Sequence, residues 1–380
     1  MRGAGTEYQP SFFNCTVFFC INSLQLKGMN SILYRIIDAN YNRAREALRV
    51  MEEYCRFGLN HSGLSGRAKQ LRHTLCATLS KLDTFALLCS RDTAGDVGRE
   101  RKVEGQINRQ TIEDCFTAAS KRASEALRAL AETAQTIDPE IAAVMERLRF
   151  EVYTLEKDAA MASYVKTKFE KVRLYVLINA DPHTSDTDVI NLARICAENG
   201  ADCLQLRAKN LTDARLLSLA EAFTATCRQN GTVSIINDRT DIAVLAGADG
   251  VHLGQNEIPV PKARRLAGAP LIIGVSTHNT DELHKAIDNR CDYVGLGPAF
   301  ASPTKPHVPA AGLGYIRHAL PLLEQAGIFH TAIGGITLDN LMELQQAGVK
   351  TIAVCQTIAG ADEPAFICKA LKNKLLNPCC

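Results

Sequence analysis

Residues 172–178 read VRLYVLI, a short run of β-branched, aromatic and other apolar residues of the kind that forms a buried strand. Seven similar runs follow at residues 203–206, 233–236, 250–253, 271–275, 293–296, 330–333 and 351–354. A segment of ordinary length that is compatible with a helix follows each run. This alternation predicts an α/β fold, a (β/α)8 TIM barrel over residues 171–377, with a doubly wound sheet as the alternative.

The residues before this run have the pattern of an all-α helical domain, which we place at residues 31–166. Apolar residues recur there at intervals of three and four, glycine is sparse, and Ala, Leu, Arg and Glu dominate. Four or five helices fit this pattern, and the expected segments are residues 32–57, 64–88, 111–136 and 139–166. Asp138 is the predicted N-cap of the last helix, with Pro139 in its first turn. The domain boundary is expected near residues 165–171.

The first 30 residues fit neither domain. Their apolar residues are interrupted by Asn14, and no small-residue cleavage site of a signal peptide follows. We therefore expect residues 1–30 to be a disordered extension, and Met29 to be a candidate start of the native protein.

Composition narrows the class of protein. The chain has 46% hydrophobic and 22% charged residues and a formal net charge of +2, which is typical of a globular protein without nucleic-acid or membrane partners. Its 14 cysteines form no CxxC pair and no cluster with metal-ligand spacing. They are typical of small buried hydrophobic residues in a reducing compartment, so the predicted location is cytoplasmic.

Polar residues follow the predicted strands, at the end where barrels carry their active sites. In chain order, the residues that we single out at these strand ends are Gln205, Arg207 and Lys209; Asn237, Asp238 and Arg239; His252, Gln255 and Glu257; Ser276, Thr277 and His278; Lys305; the glycines Gly334 and Gly335; and Cys355, Gln356 and Thr357.

Three cations of this set, Arg207, Lys209 and Lys305, predict a site for phosphate groups. The carboxylates Asp238 and Glu257 are best explained as ligands of a Mg²⁺ ion whose other ligands come from the substrate. A general acid and base, or salt bridges to the cations, are the alternatives.

A second anion site is predicted after the seventh and eighth strands. Its donors would be backbone N–H groups near Gly334 and Gly335 and in the turn after the eighth strand. His252 and His278 are either acid–base groups or structural histidines, and the sequence favours neither role.

Six motifs of the barrel resemble, in their order along the chain, those of the thiamine phosphate synthase family. They are QLRAK at 205–209, INDR at 236–239, GVHLGQ at 250–255, GVSTH at 274–278, GLGP at 295–298 and IGGI at 333–336. The resemblance implies a transferase of thiamine biosynthesis. Such an enzyme joins 4-amino-5-hydroxymethyl-2-methylpyrimidine diphosphate to 4-methyl-5-(2-phosphooxyethyl)thiazole, giving thiamine phosphate and pyrophosphate through a pyrimidine carbocation. This chemistry demands positioning and charge neutralisation rather than acid–base work.

Matching positions imply roles for individual residues. Lys209, Ser276 and Lys305 would act in catalysis, and Asp238 and Glu257 would hold Mg²⁺. The implied substrate-binding residues are Gln205, Leu206, Arg207, Ala208, Lys209, Asn237, Ser276, Ser302, Pro303, Thr304, Lys305, Gly335, Cys355 and Gln356. The chain departs from the family pattern at three of these positions. Glu257 replaces the usual Asp, Ser302 replaces Thr, and Gln356 replaces a small residue.

The helical half resembles an additional N-terminal domain of some family members. The favoured interpretation of this domain is a scaffold or a dimerisation module with ion-paired helix faces. The alternative is a ligand or partner site formed by its Arg/Glu repeats at 43–49 and 122–128 and its loop at 92–98.

Other functions for the barrel remain open from the sequence. A thiazole tautomerase, a non-catalytic sensor of thiamine phosphates and a sugar-phosphate epimerase all fit the fold. Lys209, Asp238 and Lys305 favour the synthase over the tautomerase, because a tautomerase has no diphosphate to bind.

Overall fold

The computed structural model describes residues 13–98, 108–268, 270–301 and 310–377. The chain divides into two compact units, one formed by residues 1–60 and 64–159 and the other by residues 61–63 and 160–380. The predicted boundary at 165–171 lies a few residues beyond this division, at the end of the helix that runs up to Phe169.

The helices in the first part of the chain are α1 (Phe13–Glu53), α2 (Ser62–Leu79), α3 (Thr84–Cys89), α4 (Ile112–Ala134) and α5 (Pro139–Phe169). A π-helical turn, Tyr54–Gly58, continues α1. Helix α1 begins at Phe13, so residues 13–30 of the predicted extension are helical, while residues 1–12 lie outside the described residues.

Capping side chains set several helix boundaries. Oδ1 of Asp138 accepts the backbone N–H of Glu140 at 2.8 Å, which confirms the predicted N-cap of α5. The predicted single helix over residues 64–88 is wrong, because the segment forms α2 and α3. Asp83 accepts the N–H groups of Phe85 and Ala86, both at 3.0 Å, and starts a new helix there.

Apolar side chains of α1 and α4 form much of the core of the first unit. Leu48, Met51 and Leu127 are completely buried, and the rings of Tyr54 and Phe116 pack with centroids 4.6 Å apart. The contacts follow from the amphipathic spacing of the two helices, each of which turns one apolar face to the other.

Two buried carboxylates of this unit are ion-paired. Glu52, 6% exposed, pairs with Arg72 at 3.0 Å. Asp38, 7% exposed, accepts two hydrogen bonds from Arg91 at 2.6 and 2.8 Å. Each charge is therefore balanced where it leaves water.

Eight parallel strands form a closed barrel in the second unit: β1 (Leu174–Ala180), β2 (Cys203–Ala208), β3 (Val233–Asn237), β4 (Gly250–Leu253), β5 (Ile272–Thr277), β6 (Tyr293–Leu296), β7 (Phe329–Ile333) and β8 (Ile352–Val354). Closure through the β1–β8 pair confirms the predicted barrel and excludes the doubly wound sheet. The helices between and after the strands are α6 (Asp186–Glu198), α7 (Asp213–Gln229), α8 (Thr240–Leu245), α9 (Val260–Ala267), α10 (Thr280–Asp288), α11 (Gly312–Ala326), α12 (Leu341–Gln346), α13 (Gln356–Ala359) and α14 (Pro364–Leu376).

The barrel has an outer and an inner core. Val176, Leu204 and other outward-facing strand residues pack against the helices. Inward-facing residues such as Tyr175 and Tyr293 form the inner cluster, and Phe169 at the end of α5 belongs to it as well. The ring of Phe169 stacks on that of Tyr293 at a centroid distance of 4.6 Å. The barrel interior is therefore filled with side chains, as the alternation of strand residues requires.

Candidate functional site

The ends of β1, β2 and β8 are joined by the side chain of Asn179. Its Oδ1 accepts a hydrogen bond from Arg207 at 3.2 Å, and its Nδ2 donates to Sγ of Cys355, also at 3.2 Å. Asn179 is the register partner of Arg207. The residue is exposed at the mouth of the barrel and is absent from the sequence-predicted site. Its position as the first polar residue at the end of β1 was the signal that could have identified it.

Below the mouth, Gln205 and Ser276 are linked to the barrel interior. Nε2 of Gln205, a residue 2% exposed, donates to the hydroxyl of Tyr175 at 2.8 Å. Oγ of Ser276 lies 2.9 Å from Nε2 of His252, and Nδ1 of that histidine lies 2.9 Å from the hydroxyl of Tyr293. His252 is thus hydrogen-bonded through both ring nitrogens.

The two predicted metal ligands follow adjacent strands. Asp238 comes directly after β3 and has a φ of 63°, in the left-handed region that few non-glycine residues adopt. Its backbone N–H donates to the carbonyl of His252 at 2.8 Å, which holds this conformation against β4. Glu257 is exposed in the loop after β4. The backbone strain at Asp238 persists because the surrounding structure fixes the residue, as it does at many functional sites.

Charged residues at the mouth fall into two groups. Arg239 is neutralised by Asp213 at 2.6 Å and by Asp241 at 2.6 Å, which raises the pKa of its guanidinium. Arg207, Lys209, Asp238 and Glu257 have no ion-pair partner within residues 31–98, 108–268, 270–301 and 310–377. The salt-bridge alternative for the two carboxylates therefore has no support among those residues.

Two other predicted mouth residues are engaged locally. Nδ1 of His278 lies 2.8 Å from Oε2 of Glu282, which also accepts the backbone N–H of His278 at 2.9 Å. Gln255 donates through Nε2 to the carbonyl of Ser276 at 2.5 Å. His278 is therefore held at the start of α10.

The predicted second anion site lies after β7 and β8. Gly335 has a φ of 65°, and a Cβ there would overlap the carbonyl oxygen of Ala301, so the turn requires glycine. Burial raises the pKa of the Cys355 thiol. Gln356, the first residue of α13, is exposed, and Thr357 donates its hydroxyl to the carbonyl of Ile336 at 2.6 Å.

Not every predicted residue presents its side chain to the mouth. Leu206 is 1% exposed and belongs to the cluster between the barrel and its helices, and its backbone pairs with Ile178 of β1 and Ile236 of β3. Ala208 packs beside the same cluster. Ser302, Pro303, Thr304 and Lys305 lie outside the described residues.

Comparison with known proteins identifies the family. Residues 174–358 match the family profile described as thiamine monophosphate synthase, and residues 35–158 match the profile of the ThiD2 family. The thiamine-phosphate synthase of a Nostoc species is 37% identical over 351 residues, covering 92% of this chain and 96% of that protein. That of Thermosynechococcus vestitus is also 37% identical, covering 90% and 95%. The chain belongs to the thiamine-phosphate synthase family.

Membership in the thiamine-phosphate synthase family confirms the prediction made from the six motifs, and with it the transferase class and the assignment to thiamine biosynthesis. Among solved structures, the thiamine phosphate pyrophosphorylase of Pyrococcus furiosus is 30% identical, with a TM-score of 0.48, and covers 54% of this chain and 96% of its own.

Two features are absent from the described residues. Within them, no helix combines the length and the apolar character that a membrane crossing needs. They also contain no group of three or more His, Cys, Asp or Glu side chains arranged to hold a metal ion.

Proposed function

We propose that the mouth of this barrel joins the pyrimidine diphosphate to the thiazole phosphate, with Mg²⁺ held by Asp238 and Glu257. The observation that carries the proposal is the set of charges without ion-pair partners. Arg207, Lys209, Asp238 and Glu257 stand at the ends of β2, β3 and β4, and none is neutralised within residues 31–98, 108–268, 270–301 and 310–377. Cations and carboxylates of this kind suit a ligand that brings both phosphate and metal.

The carboxylates fit Mg²⁺ rather than a softer metal. Both offer hard oxygen ligands, and the described part of the chain contains no group of three or more His, Cys, Asp or Glu side chains that could hold a metal. Magnesium usually takes one or two carboxylates and completes its octahedron with water and substrate phosphates. When bound there, the ion would neutralise charge on the diphosphate leaving group.

The side chains of the mouth then act mainly by binding and orienting. Arg207, held by Asn179, and Lys209 would bind the diphosphate as its negative charge grows on departure. Gln205, Asn237 and Ser276 would orient the pyrimidine half of the substrate, so that the thiazole nitrogen meets the carbocation in line.

The thiazole phosphate would lie at the ends of β7 and β8. Gly335 and the start of α13 at Gln356 offer backbone N–H groups to its phosphate, and Cys355 lines the same turn. Four residues outside the described ranges are proposed to complete this site and the diphosphate site. They are Ser302, Pro303, Thr304 and Lys305.

The decisive experiment is incubation of the purified full chain with both substrates and Mg²⁺, following thiamine phosphate and pyrophosphate. We expect equal amounts of the two products, and their loss with EDTA or in an Asp238→Asn variant. Asp213→Asn is the matched control, because Asp213 is 77% exposed and binds Arg239 at the edge of the mouth. Absence of product in a folded protein that still binds thiazole phosphate would favour the tautomerase or the sensor.

Three further expectations stay predictions. These are the cytoplasmic location, the formation of a homo-oligomer, and a role for the N-terminal unit as ligand site or scaffold. In the N-terminal unit, the arginines of the Arg/Glu repeats at 43–49 and 122–128 differ in their ion pairs. Arg128 lies 2.5 Å from Glu132 and 3.6 Å from Glu146, whereas Arg43 and Arg122 have no ion-pair partner in the described part of the chain.

A further inference from the structure

A continuous chain of hydrogen bonds crosses the barrel interior between two residues of the proposed substrate site. Gln205 donates through Nε2 to the hydroxyl of Tyr175 at 2.8 Å, and that hydroxyl lies 3.0 Å from the hydroxyl of Tyr293. The Tyr293 hydroxyl lies 2.9 Å from Nδ1 of His252, whose Nε2 lies 2.9 Å from Oγ of Ser276. The chain therefore joins β2 to β5 through side chains of β1, β6 and β4.

The donor at one end determines the direction of the whole chain. Because the Gln205 amide donates to it, the Tyr175 oxygen is an acceptor, and its own proton is left to donate to Tyr293. Continued in the same direction, the chain has Tyr293 donating to Nδ1 of His252, which leaves Nε2 of that ring as the nitrogen that faces Ser276 with a proton.

At the other end, Nε2 of His252 lies 2.9 Å from Oγ of Ser276, and in this direction of the chain it donates to that oxygen. The oxygen of Ser276 is then occupied as an acceptor, and its hydroxyl proton is left for another partner. A hydroxyl ordered in this way presents a donor to an anion at the mouth, as a diphosphate oxygen requires.

Burial makes this ordering persistent. Tyr175 and Tyr293 are 1% and 0% exposed, and burial raises the pKa of both phenols well above the ordinary value of 10. Both rings therefore stay protonated, and bulk water does not compete for their hydroxyls. Oε1 of Gln205 is buried and has no hydrogen-bond partner in the described structure, an arrangement that costs free energy unless a ligand or water satisfies it.

We infer that Tyr175, Tyr293 and His252 are positioning residues, which hold the Gln205 amide in one orientation and direct the Ser276 hydroxyl proton toward the diphosphate of the substrate. None of the three needs to touch the reacting atoms. The inference rests on the proposed function, because it takes the pyrimidine diphosphate as the ligand at the mouth.

The test is calorimetric binding of pyrimidine diphosphate with Mg²⁺ to the full chain, in the absence of thiazole phosphate so that no turnover occurs. Tyr293→Phe keeps the ring and removes the hydroxyl that orients His252. We expect it to weaken binding about tenfold, as for the loss of one ordered hydrogen bond to an anion. In a Ser276→Ala background the same change should weaken binding less than about twofold, because Ser276 is the group it acts through.

Tyr175→Phe tests both ends of the chain of hydrogen bonds. It removes the acceptor of the Gln205 amide and the donor to Tyr293, so the loss of affinity that it causes should be smaller in a Ser276→Ala background and also in a Gln205→Ala background. Tyr153→Phe is the matched control, because the Tyr153 hydroxyl accepts a hydrogen bond from Arg149 at 3.1 Å within α5 and takes no part in the hydrogen-bond chain. Its binding should equal that of the unmodified protein.

Equal losses from Tyr293→Phe with and without the Ser276 hydroxyl would overturn the inference and leave the tyrosines a purely structural role. So would an equal loss of affinity for thiazole phosphate, measured separately. Suppose instead that the effects of Tyr293→Phe and Ser276→Ala on pyrimidine diphosphate binding are coupled as expected, but the protein forms no thiamine phosphate. That result would contradict the proposed function and leave the inference intact.

Discussion

Gly274 of β5 and Tyr293 of β6 are register partners, and the ring of Tyr293 occupies the space in which a side chain of residue 274 would stand. A Cβ on Gly274 would overlap Cζ, Cε1 and Cε2 of that ring. The ring cannot retreat, because Phe169 stacks on it with centroids 4.6 Å apart and its hydroxyl is hydrogen-bonded to Tyr175 and His252. The glycine of the GVSTH motif is therefore required for packing.

We expect Gly274→Ala to lower the free energy of unfolding by about 1–3 kcal/mol, the usual cost of overpacking a core. Displacement of Tyr293 should also weaken pyrimidine diphosphate binding. Gly314→Ala is the control, since Gly314 lies in α11 and a Cβ added there would meet no described atom within 4 Å, so alanine should stabilise slightly. Urea unfolding followed by circular dichroism measures the free energy of unfolding of both variants. A Gly274→Ala protein as stable as the unmodified one would contradict the packing argument.

Phe169 is the second residue on which the barrel core depends. It is 1% exposed and its ring contacts those of Tyr293 and Phe329, at centroid distances of 4.6 and 5.8 Å. Phe169→Ala should therefore cost about 3–5 kcal/mol of unfolding free energy, because it leaves a cavity in the inner cluster.

Phe366→Ala on α14 is the matched control for this change. Phe366 is 62% exposed, so its truncation should cost less than about 1 kcal/mol. Comparable shifts of the two urea midpoints would contradict the role assigned to Phe169.

The sequence predicted most of the barrel because its signal is local. The strands β4 (Gly250–Leu253) and β6 (Tyr293–Leu296) match their predicted limits, since each is a short apolar run bounded by residues unsuited to a strand. The break between α2 and α3 was missed although Asp83 provides a capping signal, because the helical periodicity continues through it.

The site was predicted less completely, because its contacts join distant parts of the chain. Asn179 binds Cys355 across 176 positions, a pairing that exists only once β1 and β8 close the barrel. The choice between roles for His252 likewise depends on Tyr293 and Ser276, which are 41 and 24 positions away. A pattern of local periodicity carries no information about such pairs.

Two lysines of the barrel should separate activity from stability. Lys209 has no ion-pair partner in the described residues, whereas Nζ of Lys372 lies 2.5 Å from Asp202, whose Oδ2 also accepts the backbone N–H of Arg173 at 2.8 Å. Lys209→Gln should lower kcat/KM for pyrimidine diphosphate about 100-fold, with little change in the urea midpoint.

Lys372→Gln should have the opposite effect. It leaves the partly buried carboxylate of Asp202 without its cation, at a cost of about 1–3 kcal/mol of unfolding free energy, while kcat/KM stays unchanged. If Lys209→Gln were destabilising and fully active, the assignment of Lys209 to the diphosphate would be wrong.

Stability should depend on the protonation of His330 in β7. Its Nε2 accepts the backbone N–H of Lys350 at 3.2 Å, so that nitrogen carries no proton in the folded state. Burial, with the charges of Lys350 and Arg173, lowers the pKa of this histidine from 6.5 to about 4. The unfolded chain therefore takes up the proton first, and stability that is present above pH 6.5 should be lost as the pH falls toward 4.

His330→Gln removes this titration and keeps an acceptor for the Lys350 amide. Between pH 7 and pH 4.5, we expect the unmodified protein to lose about 2 kcal/mol more unfolding free energy than the variant does. Urea unfolding of both proteins at the two pH values measures this difference, in which the titration of all other groups cancels. Parallel losses in the two proteins would mean that His330 titrates alike in the folded and unfolded chain, and that its hydrogen bond to Lys350 does not hold it neutral.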